Sequence, residues 1–412
     1  MIVAPAPLSR NREFLLLWAG QALSGLGSQI SQVAYPLLVL AVTGSPAKAG
    51  IVGFAQQLPI ALLALPAGVL ADHFNRKRLM IACDAMRAVA LASIPIALAT
   101  GHLPLWLIVV VAFIDGSGFV LTYVAERGAM RQLVPTEQLS EAVARNESRF
   151  FAAMLAGPPL GGLLFGIARA APFITDAVSY AASTTSMLLI RSDFQEPRAD
   201  QRTGTPWDGL RWLWKRPFLR LCAILFAAGN PIFTGLYLLV VVLAKHDRAS
   251  AELVGVMLGI AATGGLIGAS LAPRLQRLLS PRMVLIGETW TFALVIPLLL
   301  VAHNAVLFGV ILAVAELMTP VTNSIIVGYR VSLAPDSLQG RVQAAATMIS
   351  FSAGWLGPLA VGFLSQNAGL TATILALAGW ALLLAIGVAV SPVFRHPPTL
   401  DTRAPTSTTT SS

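Results

Sequence analysis

The sequence predicts an all-α integral membrane protein of twelve transmembrane helices arranged as two six-helix pseudo-repeats, and three observations predict it. Of 412 residues, 56% are hydrophobic and 11% charged, with a mean hydropathy of +0.74. Soluble domains carry about 25% charged residues, so lipid has to serve as part of this chain's solvent. Apolar stretches long enough to cross about 30 Å of hydrocarbon recur along the whole length, and the two halves repeat one another at a fixed offset.

The apolar windows lie near residues 14–42, 49–70, 79–100, 104–124, 144–168, 171–190, 218–244, 251–272, 283–302, 305–325, 342–366 and 370–391. In hydrocarbon every backbone polar group must be bonded within its own helix or in a closed barrel. Runs of this length without two-residue alternation exclude the barrel. The first window is too long for the apolar region of a cleaved signal peptide and lacks a small-residue cleavage site, so it reads as an uncleaved span. After the sixth window comes the longest connection, residues 191–217, which mixes both charge signs with Pro and Gly. It divides the chain into an N-terminal bundle, 1–190, and a C-terminal bundle, 218–394. The end of that linker, Trp207, Leu210, Arg211, Trp212, Leu213, Trp214, Lys215 and Arg216, is predicted to be a short helix lying in the bilayer interface. Residues 395–412, Pro-rich and then Thr/Ser-rich, are predicted to be a disordered tail. Cys83 and Cys222 fall in or beside spans and read as buried thiols.

With the N-terminus inside, the basic residues of the external loops are Lys48, Arg169, Lys245 and Arg248, and Arg87 lies within the third span. The other 23 of the 28 Lys and Arg residues then fall on the cytoplasmic side. That asymmetry predicts two cytoplasmic termini, and the short loops suit a bacterial inner membrane. The net charge of +9 is spread over those loops rather than gathered in one patch, which argues against nucleic acid as a partner. In the repeat, Gly68 meets Gly268, Pro135 meets Pro335, Phe151 meets Phe351, Gly157-Pro158 meets Gly357-Pro358 and Gly162 meets Gly362, all in one register of 200 residues. Parallel copies imply a pseudo-two-fold axis along the membrane normal and a cavity between the halves.

Three motifs give this architecture a family resemblance. The loop after the second span reads Gly68-Val-Leu-Ala-Asp72-His-Phe-Asn-Arg76-Lys77-Arg78. It is similar to the cytoplasmic signature of the major facilitator superfamily, with His73 and Asn75 where that signature has Arg and Gly. Gly68 is expected to permit close helix approach. Gly68, Asp72, Arg76 and Arg78 are expected to form part of a cytoplasmic latch, in which Asp72 pairs with an Arg of a neighbouring helix in one state and releases it in the other. In the second half Gly268-Ala-Ser-Leu-Ala-Pro273-Arg274 lacks the acid. The fifth span carries Gly157-Pro158-Pro159-Leu160-Gly161-Gly162, which resembles the Gly-Pro signature of exporter branches and is expected to act as a hinge or seal. The opening Arg10-Asn11-Arg12-Glu13-Phe14 with Leu17-Trp18, the segment Leu133-Val134-Pro135 and the segment from Pro172 to Tyr180 look like the drug:proton antiporter subgroup that includes macrolide and siderophore (enterobactin-type) exporters. Members of related branches carry an Arg four residues before the Gly matching Gly116, where this chain has Ala112.

Ionisable residues inside spans cost about 2.5–3.5 kcal/mol at a helix centre on insertion scales, so each is a candidate for function. Asp115 in the fourth span and Glu316 in the tenth differ by 201 positions and are expected to face one another across the cavity. Either could be a proton-coupling or cation-binding site, or a satisfied structural carboxylate; Glu288 in the ninth span is a similar candidate. Asp84 and Arg87, three residues apart, are expected to form a local pair, and Asp176 to be architectural. The first span offers a polar stripe of Gln21, Gly25, Ser28, Gln32 and Tyr35, and the seventh offers Asn230, Thr234 and Tyr237. These are candidate walls of a substrate cavity, with interhelical hydrogen bonding as the alternative.

No enzymatic motif is present: the five His residues are scattered without metal-ligand spacing, and there is no nucleophile elbow or phosphate-binding Gly loop. No cofactor or metal is expected. One charge crossing 100 mV supplies about 2.3 kcal/mol and one pH unit about 1.4 kcal/mol, enough for a gradient of several hundred-fold per proton. The expected function is proton-coupled export of a small amphipathic drug, antibiotic or siderophore by a monomer in the lipid bilayer. An importer or lipid flippase of the same fold is the alternative within transport. A membrane enzyme or receptor-like scaffold is the alternative outside it.

Overall fold

The structure is a computed structural model that describes residues 7–192, 194, 206–335, 338–395 and 398, except the side chains of Leu65, Asp72 and Pro206. The tail expected beyond residue 395 and most of the linker lie outside the described residues. The described residues form helices without strands. The first bundle comprises α1 (Arg12–Thr43), α2 (Pro46–His73), α3 (Arg76–Ala99), α4 (Leu105–Leu133), α5 (Leu139–Ile167) and α6 (Ala171–Leu189). A linker helix α7 (Pro206–Trp214) leads to α8 (Pro217–His246), α9 (Ala251–Leu278) and α10 (Pro281–Val295), which tightens into a 3-10 turn to Leu300. The tenth span is split into α11 (Ala305–Glu316) and α12 (Thr319–Leu333), and the eleventh into α13 (Gln339–Phe351) and α14 (Leu356–Asn367). The last span is α15 (Gly369–Val390), followed by the short α16 (Pro392–Arg395).

Eleven spans are long and apolar enough to cross a membrane by composition. The sixth, α6, has 19 residues and does not join them, because Asp176, Ser179, Tyr180, Ser183, Thr184 and Ser186 dilute its apolar content. It can carry those groups because Asp176, Ser179, Tyr180 and Ser183 are buried against α1 and α3, while Ile174, Val178 and Leu188 make up its exposed, apolar face. Several helices run past their apolar windows: α4 continues to Leu133 and α12 to Leu333. A helix satisfies its own backbone, so it crosses into water without needing apolar side chains there.

Twelve spans bring the described residues before α1 and after α15 to one face, called here the terminal face. The N-terminal motif explains how that face is tied together. Asn11 caps α1 by accepting from the Phe14 amide at 3.0 Å, and its Nδ2 donates to the Leu133 carbonyl at the end of α4 at 2.8 Å. Glu13 accepts the Arg191 and Ser192 amides beyond α6 at 3.0 and 3.2 Å, and Trp18 Nε1 donates to the Arg145 carbonyl on α5 at 3.2 Å. One short motif therefore bonds to the ends of three other spans.

The repeat needs two registers rather than one. Spans four and five start 200 residues apart (Leu105 and Ala305, Leu139 and Gln339), but spans two and three start 205 apart (Pro46 and Ala251, Arg76 and Pro281). Their capping residues agree: Ser45 and Ser250 both accept from the amide three residues on. The Gly68–Gly268 match is therefore a coincidence of sequence. A Cβ on Gly68 would meet nothing within 4 Å, against the close approach expected of it, whereas one on Gly268 would strike the Leu317 carbonyl.

On the face opposite the termini the two bundles meet along two seams. A Cβ on Gly162 of α5 would lie 2.8 Å from the Gly255 Cα of α9, and one on Gly362 of α14 would lie 2.9 Å from the Gly50 Cα of α2. Only glycine lets the backbones approach this closely. The prolines belong to the same seams: Pro159 presses on Gly259 and Pro358 on Gly53. Ser45 and the Ala47 amide both donate to Gln366 Oε1, at 2.5 and 3.2 Å, closing the second seam at its rim.

Candidate functional site

On the terminal face the first bundle opens into a cleft of about 950 Å³, solvent at its mouth included, walled by α1, α3, α4 and α5. Gln21, Gly25 and Ser28 of the predicted stripe line it, with Ser24 next to them, beside Arg87, Phe119, Tyr123, Glu126, Arg149 and Phe150. Gln32 and Tyr35 are not among its lining residues. Tyr35 is buried, with its ring edge-on to Phe173 at 5.3 Å and its hydroxyl unpartnered among the described residues.

Behind the cleft lies a buried polar network. Arg87 Nε and Nη2 both donate to Asp115 Oδ1, at 2.8 and 2.6 Å, so Arg87 pairs across helices and not with its neighbour Asp84. Gly118 makes this possible: a Cβ there would stand 2.7 Å from Arg87 Cγ. The guanidinium also lies 4.0 Å over the Tyr180 ring, whose hydroxyl is 2.6 Å from Ser28 Oγ. Asp84 instead accepts from Ser183 Oγ at 2.7 Å and Gln21 Nε2 at 3.4 Å. Asp176 accepts from Ser31 at 2.5 Å and Ser179 at 3.2 Å, which makes it a tie between α1 and α6. Sequence reasoning missed Ser183 and Tyr180, although their i, i+4, i+7 spacing with Asp176 was visible.

The second bundle is different. Glu316 is 3% exposed and has no hydrogen bond or ion pair among the described residues. Gly265 of α9 stands beside it: a Cβ there would lie 3.8 Å from Glu316 Oε2 and 4.0 Å from Met154 Cε of α5. Glu316 therefore reaches the border between bundles, while Asp115 is held inside its own; the mirrored pair expected from sequence is not mirrored in its surroundings. Glu288 lies beside the hydroxyls of Thr319 and Thr322. Pro320 lacks the N–H that would bond the Glu316 carbonyl, and the span breaks there.

Asn230 and Thr234 serve the other broken span. Pro358 leaves the Gly354 carbonyl without its helical donor, and Thr234 Oγ1 donates to it at 2.6 Å, while Asn230 Nδ2 donates to the Ser350 carbonyl at 2.7 Å. Tyr237 lies within electrostatic reach of Glu316. In the loop motif Arg76 crosses Gly128 of α4, where a Cβ would come 2.6 Å from Nε, and Arg78 is exposed. The Asp72 side chain, and with it the expected latch, lies outside the described residues. Of the Gly-Pro residues, Gly157 and Gly161 pack on Gln29 and Ile30 of α1, while Pro158 and Gly162 face α9.

The chain is 28% identical over 410 residues to the multidrug efflux pump Tap of Mycolicibacterium fortuitum, covering 94% of this chain and 98% of that one. It is 32% identical over 158 residues to macrolide efflux protein A of Streptococcus pyogenes, covering 38% of each. Among solved structures, the nucleoside transporter NupG superposes with a TM-score of 0.71 at 14% identity, over 92% of this chain and 98% of that one, which shows the fold alone. Residues 2–409 match the family model described as transmembrane secretion effector, and the chain belongs to that family of the major facilitator superfamily, a multi-pass membrane transporter.

Proposed function

We propose that this protein is a proton-coupled exporter of amphipathic drug-like molecules, working as a monomer by alternating access in a bacterial inner membrane with both termini cytoplasmic. Drug export is supported by what the relatives are named for. The cleft on the terminal face and the glycine seams opposite suit a state that loads from the cytoplasm. The observation that carries the coupling assignment is Glu316, a buried carboxyl with no partner among the described residues, at the border between bundles. Burying it as an anion is costly, so a proton is the counter-charge it takes, and protonation becomes tied to how the bundles close. Asp115 suits this role less, because Arg87 already neutralises it.

The test is retention of a panel of amphipathic dyes and antibiotics in efflux-deficient cells, with and without a protonophore, at equal membrane abundance of wild type and Glu316→Gln. Wild type is expected to lower retention, and protonophore or Glu316→Gln to restore it to that of cells without the protein. Unchanged retention across the panel would remove multidrug export and favour an importer or flippase. Export insensitive to Glu316→Gln would remove the coupling assignment alone.

A further inference from the structure

We infer that Arg149 sets the specificity of the cleft, and that it selects amphipathic molecules carrying a carboxylate, or a comparable oxygen acceptor, beside an aromatic ring system. The inference rests on reading the cleft as the substrate site. Arg149 of α5 lines the cleft, and its Nη2 donates to Glu126 Oε1 of α4 at 2.9 Å. Both side chains are largely buried, at 12% and 9% exposure. A guanidinium presents five N–H donors in a fixed fork. Here Nη1 is buried with no partner among the described residues. An unmet donor on a charged group is relieved by an acceptor, and a carboxylate makes the strongest such bond.

The other cations of the cleft are already engaged. Arg87 gives its donors to Asp115, and Arg127 covers the Tyr123 ring at 4.5 Å and donates to its hydroxyl. Tyr123 carries Arg127 and stacks on Phe119 at 6.0 Å, and Phe119 and Phe150, exposed by 42% and 45%, offer ring surface for a ligand to cover. The opposite specificity would have a cationic ligand displace Arg149 from Glu126. The orphaned group is a donor rather than an acceptor, and this favours an acid.

The experiment measures equilibrium binding to the purified full-length protein in detergent by fluorescence anisotropy. Its probes are rhodamine B, which has a free carboxylate, and rhodamine B ethyl ester, which does not. Wild type is expected to bind the acid about tenfold more tightly than the ester. Glu126→Gln releases the guanidinium and is expected to keep or widen that preference. Arg149→Gln alone would strand Glu126, so the decisive variant is Glu126→Gln with Arg149→Gln, which leaves a neutral hydrogen-bonding pair. In it the acid is expected to fall to the affinity of the ester, with ester binding unchanged. Equal or tighter ester binding by wild type, binding of neither dye, or a preference that survives in the double variant would each overturn the inference. Binding is read without transport. A protein that discriminates the dyes but fails to export breaks only the export reading, and one that exports without discriminating breaks only this inference.

Discussion

The two bundles share an ancestry of spacing but differ in how they hold charge. In the first, four buried acids each have a bonded partner: Asp115 to Arg87, Asp84 to Ser183 and Gln21, Glu126 to Arg149, Asp176 to Ser31 and Ser179, on helices that run unbroken despite their prolines. In the second, Glu316 stands alone and two spans are interrupted, beside Pro320 and before Pro358. Charged groups bonded to one another have few good arrangements, even with Asp84 Oδ1 and Arg149 Nη1 left without partners among the described residues, whereas a lone acid and a broken helix can be rearranged at lower cost. The contrast teaches that pseudo-symmetric helices need not share surroundings: around the cleft the buried acids of the first bundle are paired, and in the second Glu316 has no partner among the described residues.

The largest test of that contrast is to remove one acid from each bundle. Asp115→Ala strands the Arg87 guanidinium and is expected to destabilise the protein by about 3–5 kcal/mol, whereas Arg87→Met with Asp115→Leu recovers most of it. Glu316→Gln removes a buried acid that has no partner and is expected to leave stability unchanged or higher. Thermal unfolding in detergent reads both, and equal losses would erase the distinction. Next come the seams: Gly162→Ala and Gly362→Ala each drive a methyl into the facing backbone and should cost about 1–3 kcal/mol in the state with the seams closed. Spin-label distances across the face opposite the termini should lengthen in both variants. A shift in one alone would make the seams unequal. The smallest effect is expected of Thr234→Val, which leaves the Gly354 carbonyl with only the longer bond from the Gly357 amide at 3.2 Å and should cost about 1 kcal/mol, read by the same unfolding assay.

Much of this was legible in the residues. Twelve apolar windows gave the spans, and the motifs around Gly68 and Gly157 gave the family. The fit was poorest where side chains make tertiary bonds. The sixth window carries enough Ser, Thr and Asp to look marginal, and only its place between α1 and α3 accounts for it. Asp84 and Arg87 look like partners because they are near in sequence, but Gly118 lets the guanidinium lie against α4, where Asp115 waits. Gly68 and Gly268 share a register of 200 that the helix starts of spans two and three, 205 apart, do not support. Asn230 and Thr234 read equally as a cavity wall or as interhelical hydrogen bonders, and only the structure gives their bonds, to carbonyls of the eleventh span at and near its break.

Composition and periodicity by themselves determined that this chain lives in a bilayer as a duplicated helical bundle, because hydrocarbon admits little else for runs of such length and apolarity. Which acid is neutralised, which stands alone and which glycines form the seams was decided only by the tertiary structure. Those outcomes depend on the distance between side chains on different helices, and a fraction of an ångström of backbone approach decides whether a guanidinium or another helix can fit there.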